Sequence, residues 1–596
     1  MWWDDDFVID EEKARTYTFR EMLVRVMPYV RPYSKTFLWA LLWALIGVLL
    51  VLFQPLILKQ IIDKDIPSGD FSKVAISASL YLAVMIFSGI VGFYSNWMAQ
   101  RAGIYAVNDL KVALFNHTLK LGIPFLESIP IGKLVSRIES DPQRIIAVTS
   151  TMAQRLLMSF GMIIGALVIL ASVDIRFLLI TIVIFPVVIG GAWFSFKMLR
   201  PYYRKDRENY SKMLGVVSEF VRSAGILQMF NRVKWAMQRV DDSTEKFNRF
   251  SIKMSYINYG IFNGLGFMEI LATVIALSFG VRWIEEGSIT VGSLVLFAQY
   301  IAQIYWPIFM FTEQLSQLQS AGGSADRIFS TMETEPEIQS PPHPVDIPKT
   351  IESISFENVC FEYEANKPIL KNISFHVDGG QQVAFVGPTG GGKSTIITLL
   401  CRFRDPQEGR ICINGIDIKE FDLNEYRKWF GLVLQDLFLF PAPIYENLRA
   451  FREEINEEKW TESARQTGIH ETILSKDAAY ETILDEGGEG FSYGQRQLLA
   501  FARALSVSPK ILVLDEATSS VDPGTEQRIQ KTLTTLITGR TSFIVAHRLS
   551  TIQKVNQIFF IQSGAIMENG DHQSLMSKKG SYYHLVTHGE QRGETI

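Results

Sequence analysis

A glycine-rich stretch in the second half of the chain contains the residue types that bind phosphate. It matches the spacing G-x-x-x-x-G-K-[ST] and consists of Gly387, Pro388, Thr389, Gly390, Gly391, Gly392, Lys393, Ser394 and Thr395. The apolar run at 383–386 predicts a strand before it, and the run at 396–400 predicts a helix after it. Glycines let consecutive backbone N–H groups face one anion, Lys393 reaches the outer phosphates, and the Ser394 hydroxyl can bind Mg²⁺. The sequence therefore predicts a nucleotide phosphate loop.

Further residues at the ends of apolar or alternating runs can complete a site for nucleotide hydrolysis. Tyr363 follows an alternating run and can stack on a base, and Gln435 presents an amide at the end of a predicted strand. Asp515 and Glu516 follow four apolar residues; the first can reach a metal ion through its water shell, and the second can orient or deprotonate the attacking water. His547 ends another apolar run, where its imidazole can contact the γ-phosphate. These residue types favour hydrolysis of a nucleoside triphosphate.

The order of these motifs resembles that of the nucleotide-binding domain of an ABC transporter. The phosphate loop resembles the Walker A motif, Gln435 the Q-loop, 515–516 the Walker B motif and His547 the H-loop. An X-loop-like stretch lies at 486–490. The signature-like and D-loop-like stretches contribute Ser492, Tyr493, Gly494, Gln495 and Asp522. With six apolar stretches before this domain, the chain resembles an exporter-type half-transporter over nearly its whole length.

The resemblance implies a role for each of these residues. ATP would be the cofactor, held between the Walker A motif of one chain and the signature of a second chain. Glu516 would be the catalytic base, and Lys393 and His547 would be further catalytic residues. The resemblance assigns Mg²⁺ to Ser394, Gln435 and Asp515. A second half-transporter is therefore the implied partner.

The signature departs from the family pattern at one position. Family members usually carry Leu-Ser-Gly-Gly-Gln, and here Tyr493 stands where the first glycine is expected, ahead of a helix predicted at 496–505. Its bulk would weaken the ATP site that it serves, whereas Glu516 is present. This combination resembles one subunit of the heterodimeric bacterial multidrug exporters, whose other subunit has a normal signature and lacks the catalytic glutamate. A homodimer is the alternative, because the Tyr493 side chain can point to solvent.

The first half of the chain predicts a membrane domain that positions this site. Hydrophobic residues make up 48% of the 596 residues, and they are concentrated in stretches near 36–59, 75–99, 153–173, 177–198, 256–284 and 290–314. Each stretch is long enough to cross about 30 Å of hydrocarbon. The connections at 101–144 and 197–253 are rich in Lys and Arg. Because such connections usually face the cytosol, we expect both termini and the nucleotide-binding domain to be cytosolic.

The predicted fold is a membrane all-α domain of six transmembrane helices, of the ABC exporter type, followed by an α/β P-loop nucleotide-binding domain. An acidic tail, unlike a cleavable signal peptide, and an interfacial helix occupy 1–35, and the transmembrane domain occupies 36–334. A proline-rich linker follows at 335–350, and the nucleotide-binding domain at 351–596. The two basic connections predict helical extensions whose turns, near 123–131 and 221–228, can contact a nucleotide-binding domain.

Polar residues inside the fifth and sixth apolar stretches predict a pocket in the membrane. Glu269 lies between apolar residues, at a depth where a carboxylate is costly and usually functional. Gln299, Gln303 and Trp306 add polar and aromatic groups. The pocket can therefore hold an amphipathic small molecule, including a cationic one. The alternative is that Glu269 only hydrogen-bonds to a neighbouring helix and that the aromatic side chains only pack.

Charge and cysteine content narrow the function further. The net charge of −4 gives no indication of a nucleic-acid partner, and three cysteines without metal-ligand spacing indicate a reducing compartment without a disulfide framework. The sequence therefore predicts ATP-driven export of amphipathic drugs or other hydrophobic compounds across the cytoplasmic membrane, with lipid and a second half-transporter as partners. The alternatives are a flippase for lipids or lipid-linked compounds, a homodimeric exporter, and an ATP-gated regulator that does not pump. The presence of Glu516 disfavours the regulator, since a pure binder needs no base.

Overall fold

The computed structural model describes residues 17–592 except 436, 486, 489, 516–522 and 546–551. The described chain forms two compact units. The first unit contains the residues up to Leu119 together with Ile129–Thr334, and the second contains Lys120–Ser128 together with the residues from Glu335 onward. The short segment Lys120–Ser128 thus folds with the second unit, although the predicted boundary at 334 assigns it to the first domain.

The N-terminal part of the described chain is helical. In chain order its helices are α1 (Phe19–Val30), α2 (Ser34–Gln60), α3 (Phe71–Lys120), α4 (Ile123–Ser128), α5 (Ile131–Glu139), α6 (Asp141–Ala147), α7 (Ala153–Val173), α8 (Ile175–Arg222), α9 (Ala224–Met229), α10 (Val233–Glu285) and α11 (Val291–Glu333). The six longest, α2, α3, α7, α8, α10 and α11, occupy the six apolar stretches predicted from hydropathy.

Length and apolar content indicate which of these helices can span a membrane. In the part of the chain that the structure describes, four helical segments are long and apolar enough to cross a membrane: Arg20–Asp65, Phe71–Lys120, Ile131–Val173 and Val233–Glu285. Shorter apolar segments lie in α8 and α11, at Ile175–Gly191 and Val291–Tyr305. These two segments correspond to the remaining predicted stretches.

Side-chain caps determine where two of the long helices begin. The Asp174 side chain accepts a hydrogen bond from Arg176 N at 2.8 Å at the start of α8, and Thr290 caps α11. Asp63, in a π-helical turn after α2, accepts a further bond from Gly292 N at 2.8 Å. The first N–H groups of a helix have no partner within it, so these oxygens satisfy donors that would otherwise be unpaired in an apolar region.

A buried ion pair joins α6 to α11 inside the first unit. The side chain of Asp141 is 1% exposed, and its carboxylate accepts bonds from Arg327 Nε at 2.8 Å and Arg327 Nη2 at 2.7 Å. Ser324 Oγ donates a third bond at 2.8 Å, and Arg144 lies 3.6 Å away. The pair sits beside an apolar cluster that includes Leu110, Ile146 and Ile328. Its geometry satisfies a carboxylate that burial would otherwise penalise.

The second unit is an α/β domain with two sheets. Its strands are β1 (Ser353–Glu362), β2 (Pro368–Asp378), β3 (Gln382–Val386), β4 (Glu408–Ile413), β5 (Ile416–Asp417), β6 (Phe430–Val433), β7 (Ile511–Asp515), β8 (Thr541–Val545), β9 (Gln557–Gln562) and β10 (Ala565–Gly570). The helices are α12 (Lys393–Leu400), α13 (Leu423–Arg427), α14 (Ile444–Leu448), α15 (Glu457–Gln466), α16 (His470–Leu474), α17 (Tyr493–Ser506), α18 (Pro523–Ile537), α19 (His572–Lys578) and α20 (Ser581–Arg592).

The order of the strands brings several loops to one edge. The smaller sheet is antiparallel, in the order β2-β1-β4-β5. The larger sheet has the order β10-β9-β3-β8-β7-β6, and its neighbours from β9 to β6 are parallel. Because these strands are parallel, β3, β6, β7 and β8 all end at the same edge of the sheet. This is the edge at which the predicted site residues follow their strands.

The buried ion pair makes an asymmetric prediction for stability. Arg327→Met should lower the free energy of unfolding by about 3 kcal/mol, because the Asp141 carboxylate would stay buried without its main counter-ion. Asp141→Asn should cost only about 1 kcal/mol, because the amide keeps an acceptor for Ser324 and the Arg327 side chain, 37% exposed, can be hydrated. Thermal unfolding of both variants in detergent measures the difference. Equal losses, or a larger loss for Asp141→Asn, would contradict this explanation.

Candidate nucleotide-binding site

The loop between β3 and α12 contains glycines at positions where a side chain does not fit. Gly387 has a φ of 138°, and a Cβ there would lie 2.0 Å from the carbonyl oxygen of Ile561. Gly392 has a φ of 105°, and a Cβ there would lie 2.6 Å from Leu370 Cδ2. Residues with side chains rarely adopt such φ values. The loop is therefore narrow and leads into the N-terminus of α12, which is the arrangement that binds phosphate.

The remaining loop residues divide into an exposed tip and a buried base. The tip consists of Pro388, Thr389 and Gly390, and the buried residues are Gly391, Gly392, Lys393 and Thr395. Helix α12 begins at Lys393, three residues before the predicted apolar run. An exposed tip leaves the loop accessible to a ligand, and the buried base holds its conformation.

Lys393 folds back across the phosphate loop. Its Nζ donates to Gly387 O at 2.7 Å and to Pro388 O at 3.0 Å. Burial lowers the pKa of the Lys393 ammonium group, and the nearby Asp515 carboxylate opposes that shift. A phosphate bound in the loop would also favour the charged ammonium group and would raise this pKa. Lys393 is thus placed to neutralise an anion in the loop.

Ser394, in the first turn of α12, and Asp515, at the end of β7, lie close together. Phe385 of β3 and Asp515 of β7 both lie opposite Val545 of β8, so the two strands end at the same level. Ser394 Oγ donates a hydrogen bond to Asp515 Oδ2 at 3.3 Å. A hydroxyl and a carboxylate oxygen beside a phosphate loop are the hard oxygen ligands that Mg²⁺ prefers. The residues present therefore fit a magnesium nucleotide.

Tyr363 follows β1 directly and lies next to the phosphate-loop helix. Its hydroxyl donates to Thr395 Oγ1 at 3.3 Å, and its ring makes an edge contact with Phe361. The guanidinium carbon of Arg404 lies 4.9 Å from the ring centroid, and Arg404 Nη2 donates to Glu127 Oε2 of α4 at 2.7 Å. Tyr363 is still 46% exposed, so part of the ring is accessible for a base. Sequence reasoning missed Arg404 and Glu127, because no motif links residues 277 positions apart.

Gln435 and Tyr493 line one small cavity together with Asp515. The cavity has a volume of about 10 Å³, roughly the space of one water molecule. Strand β6 ends at Val433, and Leu434 is 50% exposed, so the buried run before Gln435 is one residue shorter than predicted. The amide of Gln435 nevertheless lies at the strand-end edge, where the sequence places it.

The signature-like residues form the first turn of α17. Ser492 caps this helix: its side chain accepts from Gln495 N at 3.3 Å, and Gln495 Oε1 accepts from Ser492 N at 2.9 Å. The helix begins at Tyr493 and not at the predicted residue 496, because this reciprocal cap adds a turn. Gly494 is buried and Ser492 is exposed.

The Tyr493 side chain does not point freely into solvent. It is partly buried, it lines the cavity beside Gln435 and Asp515, and its ring centroid is 5.9 Å from the guanidinium carbon of Arg496. In this structure the Tyr493 side chain is thus only partly accessible to solvent. The bulky residue of the signature packs within its own subunit.

Several predicted residues lie outside the described part of the chain, or their side chains do. These are Glu516, Asp522 and His547 in the second unit and the side chain of Trp306 in the first. The described strands that precede Glu516 and His547 in the sequence are β7, which ends at Asp515, and β8, which ends at Val545.

Helix α11 has buried polar atoms in the region where the sequence predicts a membrane pocket. Within the described residues, Gln303 Oε1 and Tyr305 Oη on α11 are buried and have no hydrogen-bond partner. Tyr305 is 4% exposed and close enough to Glu269 of α10 to interact with its charge. Gln299 is partly buried on the same helix. Gln314, further along α11, also has a buried Oε1 with no hydrogen-bond partner in the described part of the chain, and sequence reasoning did not single it out.

The similarity to known proteins extends over both units. The profile of the ABC transporter transmembrane region matches residues 37–308, and the ABC transporter profile matches residues 370–519. YfiC of Bacillus subtilis, an uncharacterized ABC transporter ATP-binding protein, is 30% identical over 96% of this chain and 95% of its own. YgaD of the same organism, named as a putative multidrug export ATP-binding/permease protein, is 30% identical over 89% of this chain and 93% of its own. The ATP-dependent lipid A-core flippase of Desulfotalea psychrophila is 31% identical over 89% and 92%.

These similarities extend through the helical unit, the phosphate loop and the strand that carries Asp515. They confirm the predicted fold class, in which a helical membrane domain precedes a mixed α/β domain. Because the similarity spans both parts at this level of identity, the protein belongs to the ABC transporter family and is a membrane transporter that hydrolyses ATP.

Proposed function

We propose that the protein exports amphipathic drugs or other hydrophobic compounds across the cytoplasmic membrane as one half of a heterodimeric exporter. The observation that carries the substrate class is a set of desolvated polar groups on α10 and α11. Gln303 Oε1 and Tyr305 Oη have no hydrogen-bond partner among the described residues, and Glu269 is close enough to Tyr305 to interact with it electrostatically. Such groups are expensive inside a membrane unless they meet a ligand or a moving partner. A molecule with an apolar body and a polar or cationic group satisfies both the helices and these atoms.

The nucleotide site supplies the energy for this transport. Lys393 neutralises the outer phosphates of ATP, and Tyr363 stacks on the base. Ser394, Gln435 and Asp515 would hold Mg²⁺, which neutralises developing charge on the phosphates. Glu516 orients and deprotonates the attacking water, and His547 contacts the γ-phosphate. The closeness of Ser394 and Asp515 at 3.3 Å supports the metal assignment.

The second chain completes each ATP site. Half-transporters of this family work as dimers, and Ser492, Gly494, Gln495 and Asp522 would face the ATP that the partner holds. The exposed Ser492 at the start of α17 is suited to contact phosphate. A heterodimer is proposed because Tyr493 replaces a glycine while Glu516 is present. In such a pair, Glu516 acts in the competent site and Tyr493 lies in the weakened one.

The proposed topology has six membrane spans, with both termini and the nucleotide-binding domain in the cytosol. The turn at α9 supports a contact with a second chain. Its apolar residues Ile226, Met229 and Phe230 are 61%, 84% and 70% exposed. A helix tip with such exposure is unfavourable in water unless a partner covers it.

A flippase for lipids or lipid-linked compounds is the second candidate. It is favoured by the similarity to the lipid A-core flippase, which is as strong as the similarity to the multidrug export relative. The same intramembrane polar atoms can meet a lipid headgroup. ATPase activity stimulated by drugs but not by added lipid favours drug export, and the reverse favours the flippase.

Replacing Glu269 tests the substrate pocket. Glu269→Gln removes the charge and keeps the shape, so transport of cationic amphiphiles should weaken about tenfold, the effect of losing roughly 1.4 kcal/mol. Transport of neutral amphiphiles should not change. Tyr305→Phe is the matched control, because it removes a polar hydroxyl group and no charge. Uptake into inside-out vesicles measures both classes of compound, and unchanged transport of every cation at equal expression would contradict the pocket role.

Replacing Tyr493 tests the heterodimer. If the site that Tyr493 serves also lacks a base, Tyr493→Gly should change the turnover of the mixed complex far less than the ~10²-fold effect of a lost general base. Tyr493→Phe keeps the ring beside Gln435 and controls for the enlarged cavity. Steady-state ATPase measurements compare the variants. A large gain in turnover for Tyr493→Gly alone would count against an asymmetric pair.

A further inference from the structure

Arg404 lies between the proposed base-stacking residue and a helix that belongs to the membrane-domain part of the sequence. Its guanidinium carbon is 4.9 Å from the Tyr363 ring centroid, and its Nη2 donates to Glu127 Oε2 at 2.7 Å. Glu127 is on α4, the short helix in the segment that joins α3 to α5. These residues all belong to the second unit. The Arg404 side chain therefore connects the Tyr363 ring to α4.

Arg404 is largely buried, and these two interactions hold its guanidinium group in the described part of the chain. Its side chain is 17% exposed, and its Nε is buried without a hydrogen-bond partner among the described residues. The guanidinium plane is rigid, so a bond at one edge fixes how the plane faces the ring. Glu127, whose side chain is 59% exposed, thereby orients Arg404. If Glu127 is neutralised, the buried guanidinium loses its charged acceptor and must shift towards water.

Three neighbouring residues fix the position of the Tyr363 side chain. Arg404 contacts the ring, Phe361 makes a perpendicular edge contact, and the hydroxyl is bonded to Thr395 at the start of α12. The ring is 46% exposed, which leaves surface for a planar ligand. A cation against one face of an aromatic ring draws electron density from it, and this favours stacking of an electron-rich purine on the free surface.

We propose that Arg404 is a positioning residue that couples binding of the nucleotide base at Tyr363 to the position of α4. The inference rests on the proposed nucleotide function and adds that the base, and not only the phosphates, is sensed by the helix between α3 and α5. Base stacking stabilises the orientation of Arg404 in which Glu127 is bound. By thermodynamic reciprocity, loss of the Glu127 bond then weakens binding of the base.

A double-mutant cycle on the full-length chain tests this coupling. Glu127 is bonded to Arg404, so Glu127→Gln should raise the Kd for ATP about three- to tenfold and should do so only through Arg404. In an Arg404→Met background, Glu127→Gln should have no further effect. Arg404→Lys keeps the positive charge but replaces the planar guanidinium group. The lysine can still pair with Glu127, but ATP binding should weaken because the ring loses its planar neighbour. Calorimetric titration without Mg²⁺ measures binding in the absence of hydrolysis.

Inorganic tripolyphosphate is the matched probe, since it can occupy the phosphate loop and has no base. Its Kd should be the same in the wild-type chain, in Glu127→Gln and in Arg404→Met. Equal weakening of ATP and tripolyphosphate would overturn the inference, because it would indicate a distorted phosphate loop. Additive effects of Glu127→Gln and Arg404→Met on the Kd for ATP would also overturn the inference, because the ion pair would then act only as a surface contact.

The cycle separates this inference from the proposed function. If the wild-type chain does not bind ATP at all, the proposed nucleotide site fails. If it binds ATP and Glu127→Gln has no effect, only the coupling fails. Should Arg404→Met not fold, Tyr363→Leu replaces it in the cycle, because removing the ring must also abolish the effect of Glu127→Gln on ATP.

Discussion

The close approach of the phosphate loop to strand β9 is the constraint on which the site depends. A side chain at residue 387 would place its Cβ 2.0 Å from the carbonyl oxygen of Ile561, so only glycine lets the loop close there. With the loop closed, Lys393 begins α12 and lies across the loop carbonyls. Ser394 then reaches Asp515, because β3 and β7 end at the same level on either side of β8. Backbone packing thus positions the groups that are proposed to contact the phosphates and the metal.

The helical unit faces a different constraint, since it must keep polar groups inside an apolar environment. Some polar groups there are paired between helices: Tyr300 donates to Leu52 O, and Asp63 caps the start of α11. The unpaired atoms of Gln303 and Tyr305 are different, because nothing in the described chain satisfies them. This contrast separates groups that hold helices together from groups suited to a ligand. It is the physical basis for proposing a substrate site near Glu269.

Features set by local spacing could be predicted from the sequence, and features set by long-range packing could not. The glycine spacing around Lys393 and the apolar runs before Gln435 and Asp515 predicted the loop and the strand ends, and hydropathy predicted the six long helices. The start of α17 was misplaced because the cap between Ser492 and Gln495 extends the helix by three residues. The orientation of Tyr493 and the pairs Glu127–Arg404 and Asp141–Arg327 depend on residues distant in sequence, which no periodicity reports.

The central claim is that this chain provides one competent and one weakened ATP site in a mixed dimer. The most direct test is the ATPase rate of the purified chain alone and in complex with a second half-transporter that carries a Leu-Ser-Gly-Gly-Gln signature. The account predicts activity only in the mixed complex, and a loss of at least ~10²-fold when Glu516 of this chain is replaced by Gln. Full activity of the single chain, or activity of the mixed complex that survives Glu516→Gln, would contradict it.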